Sequence, residues 1–447
     1  MGSKVFGVKY AGGFHREEDK EMEEKEKDLW GSMTRRDFLK TASIFSLAAT
    51  LGGTKDLFLP TWAQGAEPVK IGHLVPLTGF LAMTGTYGDM GARLAVEEVN
   101  KKGGVLGRPL EMITEDEVNP GIAVQKTRKL IDKDRVQAVF GTVSSASALA
   151  MSDVCQQNRL LFINSGSNSD EIRGSRCHRH TFCIEGSNTQ YVSAIGQWLI
   201  KKQKLNRWYV LTADYAFGHD LSRASKRLLT EHGGTEIAND LIPTGTTDFS
   251  NYLNKIRNAK PDLVFMNVAG ADITNFLKQY KEFGFTIEVS GGVMDTAQAW
   301  AVGPEAMTGV FPLIWYHKLE FPGVKEFVNA FVGKFGKPPE NQAWGDYVAV
   351  KVVAAIMDKT KSTDSKVLVK NLEDFHFDAM KGRSCYFRDW DHQMMEPMFV
   401  VRPKKKSEMK DQWDIWQVVE EVPGKKDPLE TIALARKDSQ CNLEPSD

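Results

Sequence analysis

Val69-Lys-Ile-Gly-His-Leu-Val-Pro76 is a mostly apolar run that stops at a proline, and it is predicted to be a strand. The glycine-rich segment Leu77 to Gly88 behind it is expected to be a loop. Ala92, Ala95, Val96 and Val99 then fall at i, i+3, i+4 and i+7 and predict a helix that stops at Asn100-Lys-Lys-Gly-Gly104. The same rhythm continues outward. Leu110 to Thr114 is a predicted strand, Ala123, Thr127, Leu130 and Ile131 stripe a helix, and Val136 to Phe140 is a strand. Ala146 to Gln157 is a predicted helix and Leu160 to Ile163 a strand. A second series opens with Val192, Ile195 and Leu199 on one helix face, then strand Trp208 to Leu211 and helix Gly218 to His232. Strand Leu263 to Met266, a helix striped by Ile273, Phe276, Leu277 and Tyr280, and Ile287 to Gly291 complete it. Strands alternating with helices imply parallel sheets covered on both faces, and two such series imply two α/β lobes.

The last third is more helical. Val324, Phe327, Val328, Phe331, Val332 and Phe335 form an apolar stripe best read as core, and Trp344 to Lys359 is another helix. Ser384 to Val401 is predicted as a strand pair and Trp413 to Val419 as a last strand, with a polar tail after Pro423.

Composition excludes several classes. In 447 residues, 57 basic side chains balance 58 acidic ones, so there is no electrostatic argument for a nucleic-acid partner. The 5 cysteines exclude a disulfide scaffold. An apolar span of about 20 residues is missing beyond the N-terminal region, which excludes a polytopic membrane protein. The N-terminus reads as an address. A charged run, His15 to Asp28, precedes Thr34-Arg35-Arg36-Asp37-Phe38-Leu39-Lys40, a small-residue apolar stretch from Thr41 to Gly53, and Ala63-Gln64-Gly65. Paired arginines, a short apolar segment and a small-x-small site describe a twin-arginine export signal. Residues 1–65 are thus an extension plus signal, cleaved near residue 65, and the mature chain is expected to begin near Ala66 in the periplasm. The cleavage region carries no cysteine, so no lipid anchor is expected there.

Catalytic motifs are missing: there is no phosphate-cradling Gly-x-x-x-x-Gly-Lys, no His-Glu-x-x-His and no Gly-x-Ser-x-Gly elbow. Gly85-Thr-Tyr-Gly88-Asp-Met-Gly91 lacks dinucleotide spacing and is expected to let the backbone approach something closely. Cys177-His178-Arg179-His180 with Cys183 is the best metal-like cluster, although a local disulfide or exposed polar residues are the better readings. The pairing of Cys155, Cys177, Cys183 and Cys385 stays open, and Cys441 is placed in the tail. Asp389, Asp391 and His392 read as a turn. More informative are small polar loops at strand ends: Gly141-Thr-Val-Ser-Ser-Ala146, Asn164-Ser-Gly-Ser-Asn-Ser169 and Asp214-Tyr-Ala-Phe-Gly218. The hydroxyls and helix-start amides of the first suit an anionic group such as a carboxylate. In open α/β sheets ligands bind outside the carboxyl ends of the strands, so these loops point to binding.

Several of these stretches carry a family likeness: Lys70 to Gly79, Gly91-Ala-Arg-Leu-Ala-Val-Glu-Glu-Val-Asn100, Gly103 to Arg108, Tyr215 to Gly218, Thr247 to Ser250 and Lys278 to Gly284. Over about residues 68–420 the chain resembles the periplasmic substrate-binding proteins of branched-chain amino acid type ABC importers. The resemblance implies a type I periplasmic-binding clamshell, two Rossmann-like α/β lobes joined by a three-crossover hinge. Lobe 1 is expected at 68–188 and 320–395, lobe 2 at 189–319 and 396–425, and the tail at 426–447. It also implies that Ser145, with Ser144 beside it, sits at the family's hydroxyl position, Gly166 where a backbone carbonyl meets the ligand, and Asn168 where threonine is usual. Tyr87 matches an aromatic wall, Phe217, in the loop with Tyr215, a position often tyrosine, and Asp295 an acid that meets the ammonium. Phe80 and Trp344 are expected to add aromatic surface to the cleft.

The function implied is that of a monomeric, non-enzymatic importer component without cofactor. It would capture a small carboxylate-bearing solute, a branched-chain or apolar amino acid or an aromatic acid, and deliver it to inner-membrane permease subunits. An exported ligand sensor of the same fold, of amide or urea type, is the alternative. An exported metal-dependent enzyme built on Cys177, His178, His180 and Cys183 ranks lower.

Overall fold

A computed structural model of the chain describes residues 67–443. The charged N-terminal run and the export signal lie outside the described residues. The first sheet is parallel, in the order β2-β1-β3-β4-β5: β1 is Val69–Val75, β2 Leu110–Asp116, β3 Ala138–Gly141, β4 Phe162–Asn164 and β5 Thr181–Cys183. Helices α1 (Ala82–Lys101), α2 (Pro120–Lys129) and α3 (Ser145–Gln157) cross between the strands. Alternation along the strands divides the two faces. Phe140, Ile163 and Phe182 join one apolar cluster, whereas their neighbours Val139, Phe162 and Cys183 join another with Ala148 and Met151 of α3. Both faces of this sheet are therefore buried, as a doubly wound sheet requires.

The second sheet is also parallel, in the order β7-β6-β8-β9: β6 is Arg207–Ala213, β7 Thr235–Ile242, β8 Leu263–Asn267 and β9 Glu288–Gly291. Around it lie α4 (Asn188–Gln197), α5 (Ala216–Glu231), α6 (Ser250–Ala259), α7 (Ala271–Glu282) and α8 (Thr296–Val302). Strand β7 and helix α6 were not anticipated from the sequence. Strand β7 lies at the edge of the sheet, intersperses polar with apolar residues and leaves Thr235, Asn239 and Leu241 exposed, so it has no apolar run to reveal it.

The last third returns to both lobes. It runs through β10 (Phe311–Leu313), α9 (Val324–Phe335), α10 (Asn341–Thr360), α11 (Ser365–Leu372), β11 (His376–Asp378), β12 (Ser384–Phe387), β13 (Met394–Met395), β14 (Met398–Pro403) and β15 (Trp416–Val422). Two small antiparallel sheets result, β10-β14-β15 and β11-β12-β13. Helix α10 is buried almost all round because it lies against α1. This contact corrects the reading of the glycine-rich segment. Gly85, Gly88 and Gly91 are not in a loop but inside α1, and a Cβ on Gly91 would sit 2.0 Å from the Ala343 carbonyl oxygen of α10. Gly88 and Gly91 bring two helices together, and Gly85 makes room for the Pro76 carbonyl, a use of missing side chains that a local pattern does not separate from a turn.

The tail is corrected as well. Leu429 and Ile432 are buried, and Arg383 and Arg388 donate to the backbone carbonyls of Asp427 (2.7 Å) and Leu434 (2.9 Å). A disulfide joins Cys441 to Cys177 across 264 residues of sequence, while Cys155, Cys183 and Cys385 are free and buried. The metal-like run is thereby divided: Cys177 holds the tail, His178 Nε2 meets Asp153 at 2.9 Å, and Cys183 faces the core. Among the described residues no group of three or more His, Cys, Asp or Glu side chains is placed to hold a metal ion. Asp391 pairs with Arg388.

Candidate functional site

The carboxyl ends of the parallel strands converge on one cleft. Leu81 and Thr84 reach it from beyond β1, Val143 from beyond β3, and Gly166 and Asn168 from beyond β4. Glu185 follows β5, with Tyr191 one helical turn later on α4. The second sheet contributes Tyr215 and Phe217 after β6, Val268, Ala269 and Ile273 after β8, and Val293 and Asp295 after β9. Asn341 and Gln342, at the start of α10, complete the wall. Strand ends are where backbone groups are free of the ladder, so the site's position follows from the topology.

The two lobes touch around this cleft. The Ala271 amide donates to the Phe80 carbonyl at 3.0 Å, and the Phe80 and Tyr215 rings meet edge to face at 6.0 Å. Thr84 Oγ1 donates to Asp295 Oδ2 at 3.1 Å, and Asn341 Nδ2 donates to Asp295 Oδ1 at 3.1 Å. A little outside, the Asp170 amide donates to Asp220 of α5 at 2.6 Å, and Arg223 pairs with Glu171.

The electrostatics are one-sided. The lining contains Glu185 and Asp295 but no lysine, arginine or histidine among the described residues. Burial raises the Glu185 carboxyl to about 8, against the hydrogen bond from Tyr191. Burial also raises Asp295, which Thr84 and Asn341 partly offset by hydrogen bonding. Glu340 caps α10 by accepting the Ala343 amide at 3.0 Å, and its other oxygen is buried without a partner. Burial and the neighbouring Asp295 push it far above the carboxylate range.

The comparisons with known proteins agree with this geometry. The model of the periplasmic binding protein family matches residues 68–408. The chain belongs to that family. A Leu/Ile/Val-binding protein homologue of Brucella melitensis is 28% identical over 358 residues, 76% of this chain and 88% of its own length. A periplasmic binding protein of Burkholderia mallei superposes with TM-score 0.78 at 27% identity, covering 84% of this chain and 99% of the other. A branched-chain amino acid ABC transporter ligand-binding protein of Burkholderia xenovorans gives TM-score 0.73 at 26% identity, covering 83% and 99%. The clamshell of two α/β lobes is thus the architecture of this periplasmic binding protein.

Within it, Gly166, Asn168, Tyr215, Phe217 and Asp295 line the cleft. Ser144 and Ser145 do not: Ser144 caps α3 through the Ser147 amide at 3.4 Å, and Ser145 Oγ accepts the Ser169 amide at 3.3 Å. The anionic group at this helix start is supplied by the protein itself. Buried Glu117 accepts the Ser144 amide at 3.4 Å, and burial raises its carboxyl to about 7. Tyr87 lies behind the cleft, its ring 6.0 Å from Trp300, with Lys337 Nζ 4.1 Å from its centroid. Phe80 backs Tyr215 and forms a lobe-to-lobe contact instead of lining the space. Trp344, expected as cleft surface, is wholly buried, its Nε1 donating to the Ala379 carbonyl at 2.8 Å. Of the residues not anticipated, Glu185 was the most legible: a charged side chain stands two residues after the short buried strand Thr181–Cys183, as the other site loops follow theirs.

Proposed function

We propose that this periplasmic binding protein is the solute-capturing subunit of an ABC importer, exported with its signal removed near residue 65. It traps a small organic solute of amino-acid size between the lobes and presents it to a membrane permease. One observation carries this reading: loops from the carboxyl ends of both sheets line a single cleft across which the lobes are already in contact. Such contacts are made and broken as a hinge closes on a ligand. The relatives named for leucine, isoleucine and valine binding, and for branched-chain amino acid transport, support an amino-acid-like cargo. In this reading the apolar part of the solute packs on Phe217, Val268 and Val293. Asp295 takes an ammonium, and the Gly166–Asn168 backbone holds the remaining polar end.

The test is a thermal-shift panel of the mature protein against amino acids, aromatic acids, amides and ureas. A ligand at 100 times its dissociation constant stabilises the folded state by about 2.7 kcal/mol. Scattering from the same samples should show the molecule contract. If no compound raises the melting temperature, and denatured protein releases no small molecule, the capture reading fails.

A further inference from the structure

We propose that Glu185 is a second anchor for a cationic N–H group in the cleft, so that the protein selects solutes by a protonated amine or amidinium and not by their carboxylate. The inference rests on the capture reading above. It begins from the side chain's own hydrogen bonds. Asn168 Nδ2 (2.8 Å), Tyr191 Oη (2.6 Å) and the Gly186 amide (3.1 Å) all donate to Glu185 Oε1. Oε2 accepts none. The residue is 5% exposed and lines the cleft, so a largely enclosed carboxylate oxygen is left open to the ligand space. A buried acceptor left unpaired is costly, and the groups that would relieve it are N–H donors, most strongly charged ones.

Among the described residues the nearby cations are held by other partners. Arg173 is committed to the Ser169 carbonyl (2.5 Å), the Glu185 carbonyl (2.9 Å) and Gln393 Oε1 (2.6 Å). Lys381 is paired with Glu396 at 2.8 Å. Asp295 is the other carboxylate on the lining, so the cleft presents two acids to its ligand and no fixed positive charge. The start of α3, the natural place for a ligand carboxylate, is already occupied by Glu117. A ligand known only by a carboxylate would meet like charges and find the start of α3 filled. A ligand with a cationic nitrogen would supply what Glu185 Oε2 lacks.

Two matched triads test this. On a phenyl skeleton they are L-phenylalanine, phenethylamine and hydrocinnamate; on an isobutyl skeleton, L-leucine, isoamylamine and isocaproate. Binding of each to the mature protein is measured by calorimetry. The amine-bearing members should bind, with the carboxylate-only members about tenfold to a hundredfold weaker. Glu185→Gln keeps an acceptor for Asn168, Tyr191 and Gly186 but loses the charge, and should weaken only the amine-bearing members, by about tenfold or more. Two results overturn the inference while leaving the capture reading intact: carboxylate-only members binding as tightly as amine-only ones, or E185Q binding amines as wild type does. Binding by none of the six overturns it too, and the capture reading then stands or falls by the broader panel. Should E185Q not fold, the wild-type triads decide alone.

Discussion

Glu185→Gln also isolates the effect of a buried proton on folding. Burial raises the Glu185 carboxyl from an ordinary 4.5 to about 8, with repulsion from Glu396 and Asp295 added and attraction from Tyr191 and Arg173 opposing. A carboxyl with a raised folded-state pKa keeps its proton in the folded protein after the unfolded chain has lost it. Its stabilisation is fully present below the unfolded value and is lost as pH rises through the folded one. At about 1.36 kcal/mol per pH unit, the gap between 4.5 and about 8 sets a ceiling of about 5 kcal/mol. Between about pH 5 and about pH 8 the part lost is about 3 to 4 kcal/mol. An unfolding entropy of about 2.1 cal/mol/K per residue, over roughly 380 folded residues, converts this to about 4 °C in melting temperature. Glutamine has no proton to lose and retains the acceptor oxygen. Wild-type protein freed of ligand should therefore lose about 4 °C more than E185Q over that range by scanning calorimetry. Glu117, raised to about 7 with burial as the main cause, tilts both curves alike, so the difference belongs to Glu185 and its repulsion with Glu396. Parallel curves for the two proteins would refute the reasoning.

Other consequences are as direct. Phenethylamine affinity should rise between about pH 6 and about pH 9, because Glu185 must release its proton to pair. The groups facing it are Tyr191, Asn168, Asp295, Glu396 and Arg173. Calorimetry in buffers of different ionisation heat should register the released proton, and a flat profile would contradict the assignment. Lys381→Met should cost about 3 to 5 kcal/mol at about pH 8, since it strands Glu396 in a wholly buried site. The cost should shrink in acid as Glu396, raised to about 7, takes up a proton; urea denaturation at two pH values measures both. Cys441→Ser should leave the tail held only by its noncovalent contacts, so limited proteolysis read by mass spectrometry should cut between 424 and 441 sooner than in wild type. Trp344→Phe should destabilise by about 1 to 3 kcal/mol through the stranded Ala379 carbonyl. Ligand affinity should be unchanged in the same protein, because Trp344 does not line the cleft.

What the sequence determined by itself was the alternation of strand and helix, and with it the class of site. Val69–Val75, Leu263–Asn267 and the stripes on the helices between them bury residues with their own neighbours, so local periodicity suffices to find them. The loops after β4 and β6 were legible for the same reason, since a polar loop at the end of a buried strand has few other uses, whereas Asp295 after β9 was reached only through the family resemblance. Residues whose role depends on a distant partner were not legible. Gly91 is a contact surface only because Ala343 lies opposite, and Trp344 is core only because Ala379 closes over it. Ser144 and Ser145 looked like ligand groups until Glu117, 27 residues before Ser144, took the helix start. Cys441 is bound only because the tail passes Cys177. Tertiary structure alone decided which strand ends face each other and which acids stay unpaired there. Hydrogen bonds and charge pairs act over a few ångströms in space, and a sequence pattern reports such distances only within one element or its nearest turn.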